Sequence, residues 1–149
     1  MERKEFEALA LEIMSRSDML VLSTMGREPY PHSRALFNLR QAGRFPQLVA
    51  FHADKGLSVF LGTNTSSIKA RELGEGPWAS VYFMIPSEFK GLCLSGRVAP
   101  CPEARGPLWV EGWEIYYPKG SSDPDYSVFK LDPARARGWS SFAAFDLEL

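Results

Sequence analysis

Across 149 residues the chain carries 17 Lys and Arg against 18 Asp and Glu, a net charge of only −1. Without a surplus of either sign it has no global field to draw in a polyanion, and nucleic acid is a poor partner for it. No window approaches 18 consecutive apolar residues, and the N-terminal run MERKEFEALALEIMSRS is charged and amphipathic where an export signal needs an apolar stretch. A cytoplasmic protein without membrane contact is the expectation. Cysteine and histidine are scarce. Cys93 and Cys101 lack CxxC spacing, and neither His32 nor His52 falls in a metal-ligand pattern, so no zinc site or disulfide framework is expected. The thiols are expected to be reduced, with Cys93 in the core. Also missing are a GxGxxG fingerprint, a regular βαβ rhythm, an internal repeat and a low-complexity linker.

What remains is ample material for one domain over residues 1–149. Apolar residues make up 45% of the chain and aromatics 13%, which excludes a disordered body and leaves a filled interior, a ligand surface or both. Phe6, Leu9, Ala10, Ile13 and Met14 follow helical spacing, predicting an amphipathic helix from Arg3 to about Ser15. MLVLSTMG and YPHSRALFNLR read as a hairpin about Gly26 and Pro29, and GLSVFLG as a third strand. NTSSIKARELG reads as a short helix stopped by Gly74, and PWASVYFMI and KGLCLSGRVAP as two further strands. EARGPLWVEGWEIYY has helical spacing of Leu108, Trp109, Trp113 and Tyr116, broken by Gly106, Pro107 and Gly112. After a turn-rich PKGSSDPD, YSVFKL is a strand bounded by Pro133, and SSFAAFDLEL is the last strand. Short strands with brief turns favour a mainly β, α+β architecture with a barrel-like antiparallel sheet.

The stretch FLGTNTSSIKAREL, Phe60 to Leu73, breaks an apolar strand into five small polar residues and runs at once into a helix. A helix start presents unpaired N–H groups at the positive end of aligned peptide dipoles, a natural place for an anion. The hydroxyls of Thr63, Thr65, Ser66 and Ser67 can donate to phosphate oxygens, and Lys69 can add a full charge. The alternative is plain capping, with Asn64 or Thr65 satisfying the helix and the other hydroxyls in water. Arg34, in PHSRALFNL, either faces outward from an edge strand or converges with Lys69 as a two-point clamp for a phosphate dianion.

Taken together, PHSRALF, FLGTNTSSIKAREL with GPWASVYF, GLCLSGRV, and LWVEGWEIYYPKGSSDPDYSVFKLDP with Trp139 soon after resemble the pyridoxamine 5'-phosphate oxidase-like split β-barrel flavin proteins, in particular their bacterial general-stress-protein branch. The resemblance extends over nearly the whole chain. It implies an antiparallel split β-barrel with flanking helices that binds FMN, and a homodimer whose cofactor site lies at the subunit interface. It assigns the FMN phosphate to Arg34, Thr63, Ser67 and Lys69, with Asn64 in the same turn, and the isoalloxazine ring to Ala35, Leu36 and Phe37. Trp109 and Tyr116 match aromatic positions of the family's late segment, as ring neighbours or, for Trp109, as core. Departures accompany the likeness. Leu39 stands where the oxidases proper have Lys, Ile68 precedes a single Lys69, and no R-x-H motif follows residue 52. Vitamin B6 oxidation is therefore not expected. Two functions stay open: an FMN-dependent oxidoreductase acting on a small redox partner, in which the flavin holds the chemistry, and a non-catalytic flavin or haem binder or sensor on the same scaffold. Haem would draw its axial ligand from His32, His52, Met84 or Cys93, none of them in a recognisable motif. No acid–base pair is apparent, and Asp54 and Lys55 read as a solvated turn.

Overall fold

A computed structural model of the chain describes residues 1–149. In chain order it comprises helix α1 (Arg3–Arg16), strands β1 (Met19–Met25) and β2 (Pro31–Phe37), helix α2 (Val49–His52), strand β3 (Val59–Asn64) and helix α3 (Ile68–Glu75), followed by strands β4 (Trp78–Ile85), β5 (Lys90–Pro100), β6 (Tyr126–Ser140) and β7 (Ala143–Glu148). Every strand pairing is antiparallel, in the order β2-β1-β4-β5-β6-β3. Strand β6 is long enough to take β3 along its first half and β7 along its second. The sheet curls into a split barrel in which β2 and β3 are the two ends that do not pair with each other. No helix is long and apolar enough to cross a membrane.

The alternation of the central strands decides which face closes on the core. Leu20 and Leu22 of β1, Val81 and Phe83 of β4, and Leu92 and Leu94 of β5 are fully buried on the inward phase. Helix α1 covers that face with Phe6, Ala10, Ile13 and Met14, the stripe its sequence spacing predicts. Each such fully buried large side chain contributes about 1.5–3 kcal/mol. Asn38, directly after β2, donates to the carbonyls of Met14 and Ser17 at 2.7 and 2.8 Å, and so ties the exit of α1 to the end of β2. A second core lies outside the barrel, where Leu39, Phe45, Leu48, Phe60, Leu108, Tyr117 and Tyr126 pack together.

The structure corrects several expectations. Pro133 does not end a strand, because β6 runs through it; the proline sits opposite Gly96 where the β5–β6 register shifts, and a bulge tolerates its missing N–H. Gly106 to Tyr116 is not a helix but a series of turns with one 3-10 turn at Trp113–Ile115, entered through Gly112 at φ +98°. Trp109 and Trp113 pack against the second core while Tyr116 is half exposed, so its aromatic side chains form no helical stripe. Helix α3 begins later than NTSSIKARELG implies, since Asn64 still belongs to β3, and it runs past Gly74 to Glu75. Of the two free thiols, Cys101 is the buried one and Cys93 is half-buried on the outward sheet face. The segment Pro46–His52, one 3-10 turn and α2, has no counterpart in the sequence reading.

The bulge makes a prediction. A Cβ on Gly96 would fall 2.0 Å from the Asp132 carbonyl oxygen and 2.8 Å from the Pro133 Cα, both backbone atoms of β6. Gly96→Ala is expected to lower unfolding free energy by about 1–3 kcal/mol in urea titrations, through forced separation of β5 from β6. Wild-type stability in that variant would show that the two strands move apart freely.

Candidate functional site

Two clefts meet at the split between β2 and β3. One, of about 230 Å³, is lined mainly by apolar and aromatic side chains: Met19, Leu36, Phe37, Leu39, Trp113 and Tyr116 are among them, with Gly62–Asn64 of β3 and Lys69. Trp113 stacks on Phe37 at 6.4 Å with 14° between the rings, and Tyr116 lies 6.4 Å from the same ring, so an aromatic wall faces the gap. The other cleft, of about 370 Å³, is polar and basic, with Arg34, Ser67, Lys69 and Arg71 on its walls and His32 and Glu28 at its rim. Lys69 belongs to both. The result is one continuous groove with a flat apolar end and a cationic end.

The cationic end follows from local structure. Ser67 caps α3, its Oγ accepting from the Ala70 N–H at 3.2 Å, and Thr63 Oγ lies 3.3 Å from the same atom. Capping occupies a lone pair of Ser67, and its hydroxyl hydrogen can donate to Thr63 or to a ligand. The rest of the turn is held from the other side. The Asp125 carboxylate accepts from Asn64 Nδ2 at 2.7 Å and from the Ser66 N–H at 2.8 Å, while Thr65 Oγ donates to the Pro124 carbonyl at 3.0 Å. Arg34 lies on the inward phase of β2, not outward, with its Nη1 donating to Thr24 Oγ and to the carbonyls of His32 and Leu22 at 2.7, 3.0 and 3.3 Å. Its Nε and Nη2 make no protein hydrogen bond. Lys69 forms no ion pair; burial and then the neighbouring Arg34 charge push its pKa below the ordinary lysine value. Two partly buried cations that repel each other and have spare donors make a site that an anion would stabilise.

The sequence family described as Pyridoxamine 5'-phosphate oxidase matches residues 6–140. The chain belongs to this family. Among solved structures, a protein related to general stress protein 26 from Clostridium acetobutylicum superposes with a TM-score of 0.78 at 24% identity, covering 99% of this chain and 97% of that one. A heme binding protein from Mycobacterium smegmatis gives 0.70 at 16% identity over 99% of this chain and 60% of that one. An FMN binding protein related to pyridoxamine 5'-phosphate oxidase, from Nostoc punctiforme, gives 0.58 at 16% over 93% and 83%. No curated protein matches the sequence.

In this member of the pyridoxamine 5'-phosphate oxidase family, the expected site residues are unequally placed. Arg34, Ser67 and Lys69 share the basic cleft, and Leu36, Phe37, Thr63, Asn64, Lys69 and Tyr116 line the apolar one. Ala35 points to the outward face of β2, so only its backbone is on the gap edge. Trp109 is not on the cleft wall; it packs edge-on against Tyr126 at 5.2 Å in the second core. Trp113 and Tyr117, not among the expected site residues, take wall positions beside Tyr116. Thr65 and Ser66, counted as phosphate donors, are tied instead to the Pro124–Ser127 loop. Also missed were Thr24 and Glu72, whose signal was available: polar residues at inward positions of a strand and a helix, only 2% and 1% exposed.

His32 stands between two carboxylates, with Nδ1 2.8 Å from Glu72 and Nε2 2.5 Å from Glu28. Both ring nitrogens must donate, which is the imidazolium form, and the hydrogen bond to Glu72 is the main reason its pKa lies above the ordinary histidine value. A folded-state pKa above the unfolded one of about 6.5 gives stability that is complete below that pH and lost as pH rises through the raised value. The wild-type melting temperature is therefore expected to fall relative to that of His32→Gln between pH 6 and pH 9, less so in high salt. Parallel curves for the two proteins would remove the charged His32 from the site.

Proposed function

We propose that the chain is an FMN-binding oxidoreductase that works as a homodimer on a small redox partner. The observation that carries this is the continuous groove: a flat aromatic end long enough to begin at Leu36 and Trp113, joined at Lys69 to a cationic end with unpaired donors. A phosphorylated, planar, largely apolar cofactor matches both ends at once. Lys69, the free nitrogens of Arg34 and the hydroxyls of Ser67 and Thr63 would hold the phosphate. The gap edge of β2 from Arg34 to Phe37 would offer backbone donors and acceptors to the ring, and Phe37, Trp113 and Tyr116 would exclude water from it. Bound there, FMN supplies hydride and electron transfer. Tyr117 beside the cleft is pushed up to about 12 by burial, with Asp125 and Asp123 adding to the shift, so it stays protonated and serves as wall, not base. Four residues weighed as axial ligands for haem, His32, His52, Met84 and Cys93, all lie off the apolar cleft, which favours flavin.

The dimer rests on a different surface. The outward phase of β1, β2 and β4 carries no charged residue at all; it presents side chains such as Val21, Met25, Ala35, Trp78, Tyr82 and Met84. Met25 is 53% and Trp78 60% exposed. An exposed sheet face of a monomer would carry polar and charged residues at this period, so a second copy covering it by two-fold symmetry explains the pattern. Sedimentation at micromolar concentration is expected to give the dimer mass, with an interface above about 2,000 Å². A compact monomer that still binds FMN would overturn this part of the reading.

FMN titration tests the groove. Charge-assisted hydrogen bonds contribute about 1.5–3 kcal/mol each, so Lys69→Ala or Arg34→Ala should weaken FMN roughly 10- to 150-fold and leave riboflavin, which lacks the phosphate, nearly unchanged. Equal FMN affinity in wild-type and Lys69→Ala protein would mean the cationic end is not the phosphate site. Reduction of the loaded protein by NADH or NADPH, followed in a stopped-flow spectrometer, then separates an enzyme from a carrier.

A further inference from the structure

Beneath Arg34 lies a buried polar pair that the fold does not require. Thr24 and Glu72 are 2% and 1% exposed, on β1 and α3, where apolar side chains would pack without the cost of desolvating a carboxylate. Room has been left for them: a Cβ on Gly26 would come 2.9 Å from the Glu72 carboxyl carbon. Thr24 Oγ lies 2.8 Å from Glu72 Oε2 and 2.7 Å from Arg34 Nη1. The direction of these bonds is forced. A guanidinium only donates and an ionised carboxylate only accepts, so the Thr24 hydroxyl hydrogen must point at Glu72 and its lone pair at Arg34. Glu72 is ionised: burial pushes its carboxyl up, but hydrogen bonds from His32 and Thr24, with Arg34 nearby, outweigh that and hold it below the ordinary value.

We infer that Glu72 and Thr24 form a positioning relay, in which the buried carboxylate orients the Thr24 hydroxyl so that it holds Arg34 Nη1 and leaves Nε and Nη2 aimed at the anionic group in the basic cleft. Neither residue touches the ligand. Their effect is on the geometry of Arg34, and His32 fixes the second carboxylate oxygen, at 2.8 Å, so that Glu72 cannot rotate away. The inference rests on the reading of this cleft as a phosphate site, and it assigns that site's selectivity to residues outside it.

The test is the ratio of riboflavin to FMN dissociation constants, which isolates the phosphate from the rest of the cofactor. Thr24→Val keeps the shape and deletes the relay; it is expected to lower that ratio about 10-fold by weakening FMN alone, whereas Thr24→Ser, which restores the hydroxyl, should return it to the wild-type value. Glu72→Gln can turn its amide toward Thr24 and reverse the hydroxyl, so it should lower the ratio in the same direction, and it gives the answer if Thr24→Val does not fold. Riboflavin binding in each variant reports an intact apolar cleft. A Thr24→Val or Glu72→Gln protein with the wild-type ratio overturns the relay while leaving the phosphate site standing. A wild-type protein with no preference for FMN over riboflavin overturns the phosphate site itself.

Discussion

Strands β2 and β3 end the sheet without pairing with one another, and each carries a row of backbone N–H and C=O groups that no neighbouring strand satisfies. Such edges are costly if buried dry and are a template for association if exposed. Here they face each other across a gap, with the aromatic wall of Phe37, Trp113 and Tyr116 over one end and α3 over the other. The consequences run outward from that gap. Because the barrel is split, residues of β2, β3 and α3 that are distant in sequence meet at one groove. Strand β6 must then run long and bend at its bulge to carry β3 round to that position, and the second core must stand outside the barrel to support the wall.

The electrostatics follow the same geometry. Arg34 is on the inward phase of its strand, where a lone cation would be expensive, and the structure meets part of that cost with a buried carboxylate reached through Thr24. Lys69 has no such partner. On the walls of the basic cleft Arg34 therefore has a buried carboxylate beneath it, while Lys69 and Arg71 form no ion pair, and the excess of positive charge faces solvent. Ion pairs elsewhere, such as Glu12 and Glu88 with Lys90, are on the surface and contribute little to stability. They do not touch the groove.

Legibility in the sequence divides by physical cause. Strands β1, β4 and β5 and helix α1 are plain from periodicity because each has a buried phase alternating with a more exposed one, so local pattern and tertiary burial agree. The polar turn before α3 is legible as a helix start with excess hydroxyls, although which hydroxyl caps and which is held by the Pro124 carbonyl depends on a loop about sixty residues away in the chain. Residues 106–116 misled because aromatic spacing in a second core mimics a helical stripe, and only the turns at Gly106, Pro107 and Gly112 argued otherwise. Pro133 misled in the opposite sense, since the bulge at Ala134 that lets β6 run through it depends on pairing with β5 and is invisible in the local sequence. Thr24 and Glu72 stand at inward positions of a strand and a helix, and their meaning exists only as a pair.

The departures from the oxidases proper acquire a structural reason. Leu39 stands where those proteins have Lys, and here it is 3% exposed, packed in the second core and on the cleft wall. A lysine there would bring a charge into the cluster that holds Phe45, Tyr117 and Tyr126, at a desolvation cost. Lys69 is the sole cation on the apolar cleft, and it also belongs to the basic one. At the aromatic end the Arg44 guanidinium lies over the Phe37 ring, 5.7 Å from its centroid. The groove thus concentrates its unpaired positive charge at the α3 end and presents a flat, mostly apolar surface at the other.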